Sequence, residues 1–395
     1  MFYKKISFLF CFIVSFFSYS NPTPQIQPDQ ADWTVALYLN FYSREKKFNR
    51  KCSSSFQDII NWKNKLAKSL KNNKKNPNLN IVFHTVQNGS SCSSRVQNPP
   101  SARGIIKIRN KNVSFDYERM PRPNMGDRAT LKNFMDYVYE KAPAKKHALY
   151  IHGHGLGWSY ISSDRIHRTK INAIQLSEIL KERKQEVIHF KCCSMADIET
   201  AYQLRSVTNY MNASQLSLYA PMKEDFRFLD QLCKNPTMNG LELTNRLRKC
   251  DISINKRNNC STISTAPLPE MSKTLNSLAH KVIFEQDQLN NARYFNQMKR
   301  KVEKLENDND SYDLKSCIDY LLGLDGASYE VKKLCCDARD LLKKVVIHNE
   351  LGKKSKKKGC GISIDLTTRY NKRLYSELDF AKDAGSWLAW KRMVA

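Results

Sequence analysis

The sequence predicts an α/β fold: a mostly parallel sheet flanked by helices, followed by a largely helical C-terminal part. Three observations predict it. Short β-branched and aromatic runs alternate with segments whose apolar residues recur at helical spacing. The strongest such runs are separated by helix-length connections, and parallel strands need crossovers of that kind. Beyond residue 225 the helical pattern dominates.

Residues 31–40, Ala-Asp-Trp-Thr-Val-Ala-Leu-Tyr-Leu-Asn, read as a buried strand. Residues 56–70 place Ile59, Ile60, Trp62, Leu66 and Leu70 at helical spacing, so a helix follows. Residues 79–86 form a second strand, and 104–109 with 113–117 are candidates for a hairpin. A helix from Thr130 to Tyr139 carries Leu131, Phe134, Tyr137 and Val138 on one face, with Thr130 as a fair N-cap. A short strand over 147–152 is broken by Gly153-His154-Gly155-Leu156-Gly157-Trp158. Residues 171–183 read as a helix, 187–190 as a buried strand ending at Lys191-Cys192-Cys193, and 196–205 as a helix. Later come a charged helix over 294–306, an exposed basic loop over 353–358 and a strand over 361–366. No internal repeat is present.

The first twenty residues stand apart. Lys4 and Lys5 precede an apolar stretch over 6–17, and Ser18-Tyr19-Ser20 supplies small residues for cleavage before Asn21. This predicts a secretory signal peptide over 1–20 and hence export to a periplasm, the medium or the cell surface. The stretch is short for a bilayer span. Residues 21–30, with Pro22, Pro24 and Pro28, read as a flexible lead-in.

The formal net charge is +27 over 395 residues. Such a surface favours anionic partners, including lipid headgroups and cell-wall polymers. The basic residues are spread along the chain, and no aromatic-basic module of a nucleic-acid reader is seen. Twelve cysteines are present. In an exported protein, those left after signal removal and one free thiol permit disulfides, whose pairing the sequence does not give. No pair of CxxC knuckles points to a structural zinc site.

In a parallel α/β sheet, reactive groups gather beyond the carboxyl ends of the strands. His154 lies just past one strand end and Cys193 just past the next. If one right-handed crossover joins these strands as neighbours, imidazole and thiol emerge side by side. That is the pair a thiol nucleophile and its proton-transfer partner require. A helix beginning after Cys193 would lower the thiol pKa. The N–H groups of Gly155 and Cys193 are the candidate oxyanion donors. A rival metal set, His152, His154, Cys192 and Cys193, is disfavoured because alternate positions in an extended chain point to opposite sides.

With these residues in place, the chain resembles the clostripain-like cysteine peptidases of the caspase-like clan. Trp33 to Asn40 looks like the opening strand, and Asn124-Met125-Gly126-Asp127-Arg128-Ala129-Thr130-Leu131 resembles the approach to the histidine strand. His154-Gly155-Leu156-Gly157-Trp158 is similar to the family's His-Gly-Ser-Gly-Trp. Phe190-Lys191-Cys192-Cys193-Ser194-Met195-Ala196 is similar to its Phe-Asp-Ala-Cys-Leu-Met-Gly. Residues 201–205, 211–214, 312–314 and 361–364 resemble later landmarks.

The resemblance implies a caspase-like sheet and a catalytic core over 31–225, with a mostly helical part over 226–395 packed on it. It implies peptide-bond hydrolysis through a thioester, with protein or peptide substrates. It also implies self-cleavage between His and Cys, where Arg165, Arg168 and Lys170 are the candidates beside the plainer reading of a basic loop. Some members depend on calcium. This sequence calls for no cofactor, and no local run reads as a calcium loop.

Two departures from the family pattern concern specificity. Lys191 stands where the family has an Asp that attracts Arg or Lys side chains, and Gln215 and Leu216 replace a later acidic pair. Lys191 and Gln215 are therefore the specificity-pocket candidates, and like-charge repulsion weakens the usual preference for basic residues. Glu224 and Asp225 are the acids a loop offers to the pocket instead, beside the plainer reading of two exposed side chains. The competing functions are a weakly active homologue that binds anionic surfaces and a zinc-dependent hydrolase.

Overall fold

A computed structural model describes residues 30–43, 55–71, 75–89, 101–164, 166–218, 225–289, 297–298, 300–305, 311–355, 359–366 and 372–394. The signal-peptide and lead-in expectations, Arg165 and Glu224 lie outside them, as does part of the expected 294–306 helix. Residues Ala31–Ala395 form one compact unit.

The unit is built on a nine-stranded mixed sheet. Its five central strands are parallel. β1 (Ala31–Ser43) lies between β2 (Asn78–Gly89) and β5 (Ala144–His152), followed outward by β8 (Gln185–Lys191) and β9 (Thr208–Ala213). An antiparallel hairpin, β3 (Ser101–Arg109) and β4 (Asn112–Met120), closes one side, and its turn places Asn110 at a positive φ of 56°. The other side ends in antiparallel β10 (Asn259–Ser264) and β12 (Val346–Leu351). Two small ribbons lie outside the sheet: β6 (Ser162–Asp164) with β7 (Thr169–Ile171), and β11 (Ser311–Asp313) with β13 (Ser363–Asp365). The chain leaves β1 to β2 on one side and returns to β5 on the other, so a topological switch lies at β1/β5.

Alternation along β1 sorts the core into two layers. Val35, Leu37 and Leu39 face α1 (Ser55–Leu70), α5 (Arg227–Lys234) and α6 (Gly240–Ile254). Ile59, Trp62, Leu66 and Leu70 form the predicted apolar stripe of α1, each burial contributing about 1.5–3 kcal/mol. Ala36 and Tyr38 face α2 (Arg128–Lys141), α3 (Ala173–Leu180), α4 (Ile198–Gln203), α7 (Leu268–Leu289) and the later helices Leu314–Leu322, Tyr329–Val345 and Gly385–Val394.

Several local expectations change. The N-cap of α2 is Asp127, whose side chain accepts from the Thr130 N–H at 3.2 Å, so Thr130 sits inside the first turn. Ile171 pairs in β7, and α3 starts after Asn172, which forms a capping box with Gln175. The part after residue 225 is largely helical but also gives β10 and β12 to the central sheet, so that sheet crosses the expected 225/226 division. The late strand expected over 361–366 is β13, and it pairs with β11 rather than with the main sheet. Among the nine described cysteines no disulfide is formed. Among the described residues no helix is long and apolar enough to cross a membrane.

Candidate active site

β5 and β8 are parallel neighbours, and their last register pair is His152 with Lys191. The Gly153 N–H reaches the Lys191 carbonyl at 3.4 Å and carries the pairing one residue further. His154 and Cys193 therefore each lie two residues past the same rung, where strands sit about 4.8 Å apart. Both line one cavity of about 130 Å³, together with Asn40, His152, Gly153, Lys191, Cys192 and Leu218. The cavity opens at the carboxyl ends of β1, β5 and β8, beside the topological switch.

The two turns that carry the pair interlock. A methyl group at Gly155 would sit 2.5 Å from Met195 Sδ, 2.8 Å from Cys192 Cβ and 3.0 Å from the Cys193 carbonyl oxygen. Gly157 has a φ of +55°, and a methyl there would meet an Asp197 carboxylate oxygen at 2.6 Å. Glycine is required at both positions by close approach, and at Gly157 by the backbone as well. On the other side, Ser194 adopts φ +54°, a conformation rare for a side-chain-bearing residue and concentrated at functional sites. The Ser194 N–H donates to Leu216 O at 3.1 Å and the Ala196 N–H to Ser214 O at 2.9 Å, which pins the cysteine turn to the segment after β9.

Cys192 and Cys193 diverge, as adjacent residues of an extended chain do. Cys192 is buried, with Sγ near the carbonyls of Ile151 at 3.5 Å and Ile161 at 3.6 Å. Cys193 is half-buried and faces the cavity. Its sulfur accepts from the Leu218 N–H at 3.3 Å. An N–H aimed at sulfur favours the thiolate. The helix expected to begin just after Cys193 starts further on: α4 begins at Ile198, capped by Asp197, and spans only six residues. The near backbone partner of the Cys193 sulfur is the Leu218 amide, from a loop, a contact that no local sequence pattern announces.

Lys191 is 2% exposed and lines the cavity. Gln215 is placed elsewhere. Its buried amide donates to Asp313 Oδ2 at 3.0 Å and accepts from the Gly361 N–H at 2.9 Å, tying the segment after β9 to β11 and β13. Asp225 pairs with Arg227. Arg168 and Lys170 are exposed on the β6–β7 ribbon, Arg168 at φ +55° in its connection. Buried Asp164 anchors that ribbon, accepting from the N–H groups of Ile166 and His167 and from Arg122. Among the described residues no group of three or more His, Cys, Asp or Glu side chains is arranged to hold a metal ion.

The fold and this pair of turns define a class, the cysteine peptidases with a caspase-like sheet. The clostripain family model matches residues 55–392, and the chain belongs to that family. No curated protein is significantly similar to it. An inactive zymogen C11 protease from Parabacteroides distasonis superposes with a TM-score of 0.61 at 17% identity, covering 91% of this chain and 99% of that one. A secreted C11 cysteine protease from Bacteroides thetaiotaomicron gives 0.60 at 15% identity, covering 93% and 100%. A structure of a secreted C11 protease from the same organism with an irreversible peptide inhibitor gives 0.61 at 15%, covering 90% and 99%. These likenesses support the same fold.

Proposed function

We propose that this chain is an exported cysteine endopeptidase in which Cys193 is the nucleophile and His154 the general acid and base. The observation that carries the reading is the shared rung: imidazole and thiol stand two residues past one register pair and line one cavity. The Cys193 thiolate attacks the scissile carbonyl carbon, and the oxyanion is held by the N–H groups of Gly155 and Cys193. His154 protonates the departing amine, leaving a thioester. A water then gives its proton to His154 and attacks the thioester carbonyl, and the thiolate leaves.

Lys191 sets the specificity. A cationic substrate side chain entering this cavity meets a buried ammonium, so Arg and Lys before the cut are disfavoured relative to neutral or acidic residues. Self-cleavage after Arg168 or Lys170 is disfavoured for the same reason, although that ribbon is exposed. The peptide inhibitor bound by the Bacteroides relative supports peptide substrates here. Export rests on the leader over 1–20, and the net charge of +27 favours substrates or surfaces of negative charge. A peptide-library cleavage profile of the mature protein beside its Cys193→Ala variant tests the reading. Cleavage by the parent alone, with few products ending in Arg or Lys, is expected. Equal cleavage by both proteins would sink it.

A further inference from the structure

We propose that Asp197 is a positioning residue whose buried carboxyl holds the turn carrying His154 against the turn carrying Cys193. The inference rests on the reading of that pair as one site and adds what keeps the two turns in register. Asp197 is 5% exposed and touches three elements. Its carboxylate caps α4, accepting from the Thr200 N–H and the Thr200 hydroxyl, both at 2.7 Å. The same carboxylate lies against Gly157 of the histidine turn. Its backbone bridges to Ser363 of β13, whose N–H donates to Ala196 O at 2.8 Å.

The histidine turn is fastened to β13 from the other direction. The Trp158 indole donates to Asp365 Oδ2 at 2.9 Å and stacks edge-on against Tyr375, with ring centroids 5.2 Å apart. The Asp365 N–H and the Tyr375 hydroxyl both donate to Glu199 Oε1 at 3.0 Å. Histidine turn, cysteine turn and C-terminal segment thus meet around three carboxyl groups. Among the described residues, the titratable groups facing Asp197 are Glu199 on its own helix, Asp365 from β13 and Tyr375 from the helix Lys372–Glu377. None of them is a cation. Burial first, and then the Asp365 charge, push the Asp197 carboxyl up to about 7 despite hydrogen bonds with Thr200 and Glu199. The clamp is closed when this carboxyl is protonated. Its ionisation places another negative charge beside Asp365 and loosens the contact between the turns.

Asp197→Asn keeps a capping oxygen and cannot ionise. The test follows kcat/KM on a peptide substrate, and the rate of Cys193 alkylation by iodoacetamide read by mass spectrometry, from pH 6 to 9. Between pH 7 and 8 the protonated fraction of a group titrating at 7 falls about fivefold, so the ratio of the D197N rate to the parent rate rises by up to about fivefold over that unit. The thiol's own titration is common to both proteins and cancels in the ratio. Asp365→Asn, which removes the facing charge that raises the Asp197 carboxyl, shifts the parent's break to lower pH and serves where D197N does not fold. A ratio that is flat with pH, or an unmoved break in D365N, overturns the proposal. The alkylation arm reads positioning even where no peptide is cut, so failure of the clamp and failure of the peptidase reading are separate results.

Discussion

Replacing Lys191 with glutamine changes which peptides are cut, and the size of the change follows from the cavity. A volume of about 130 Å³ corresponds to a sphere roughly 3 Å in radius. A substrate cation inside it therefore lies about 5 Å from the ammonium, where two unit charges at an effective dielectric of 20 repel by about 3 kcal/mol. The groups already bonded to Lys191 offset part of this. A net effect of about 1–2 kcal/mol, or roughly 5- to 30-fold in kcat/KM, remains. K191Q accordingly raises the Arg-to-Gln ratio before the cut by that factor, and Lys191→Asp raises it further by adding attraction. The assay is kcat/KM on matched peptides with Arg, Gln or Glu at that position, using K191Q and the parent. A second sign is salt dependence: discrimination against Arg by the parent weakens with ionic strength less than a surface effect would, because Lys191 is buried. Unchanged ratios in both variants would refute the pocket argument while leaving the catalytic pair untouched.

Other expectations concern the turns and the fold. Gly157→Ala places a side chain at φ +55° against Asp197, so it destabilises the protein by at least about 1–2 kcal/mol and lowers activity; denaturant unfolding and peptide cleavage measure the two effects. Asp197 binds its proton more tightly in the native state than unfolded, where its pKa is about 3.8. Its contribution is complete below that value and is lost as pH rises toward 7, and chemical unfolding of D197N shows a correspondingly flatter pH dependence. The purified mature protein, incubated alone, is expected to stay uncut after Arg168 and Lys170. N-terminal sequencing checks this, and rapid self-cleavage there would contradict the role given to Lys191.

The strand ends that carry His154 and Cys193 were easier to read from the sequence than the outer strands of the sheet. His154 and Cys193 were legible because each ends a strong apolar run, and the connection between the runs has crossover length. The intervening helix, which places β8 beside β5, was legible for the same reason. β10 and β12 were not. Asn-Cys-Ser-Thr-Ile-Ser and Val-Ile-His-Asn-Glu-Leu lack the long apolar runs of inner strands, and they become strands by pairing with β9 and with each other. Contacts between distant residues were equally hidden. Gln215 finds Asp313 98 positions later, and Trp158 finds Asp365 after 207. Family position groups Gln215 with Lys191, whereas its hydrogen-bond partners are Asp313 of β11 and Gly361 just before β13. The hydrogen bond from Leu218 to the Cys193 sulfur comes from a backbone amide, which no side-chain pattern encodes. A local signal for Asp197 did exist: Asp at 197 followed by Thr200 marks a helix N-cap, and that cap moves the helix start away from the thiol.

Intact-mass spectrometry of acid-quenched enzyme during turnover of an activated peptide ester tests the central claim most directly, because it reads the covalent intermediate itself. The account predicts an acyl adduct on Cys193 that forms in the parent, is absent in Cys193→Ala and forms much more slowly in His154→Ala. Turnover without any adduct, or an adduct on another of the cysteines, would contradict it.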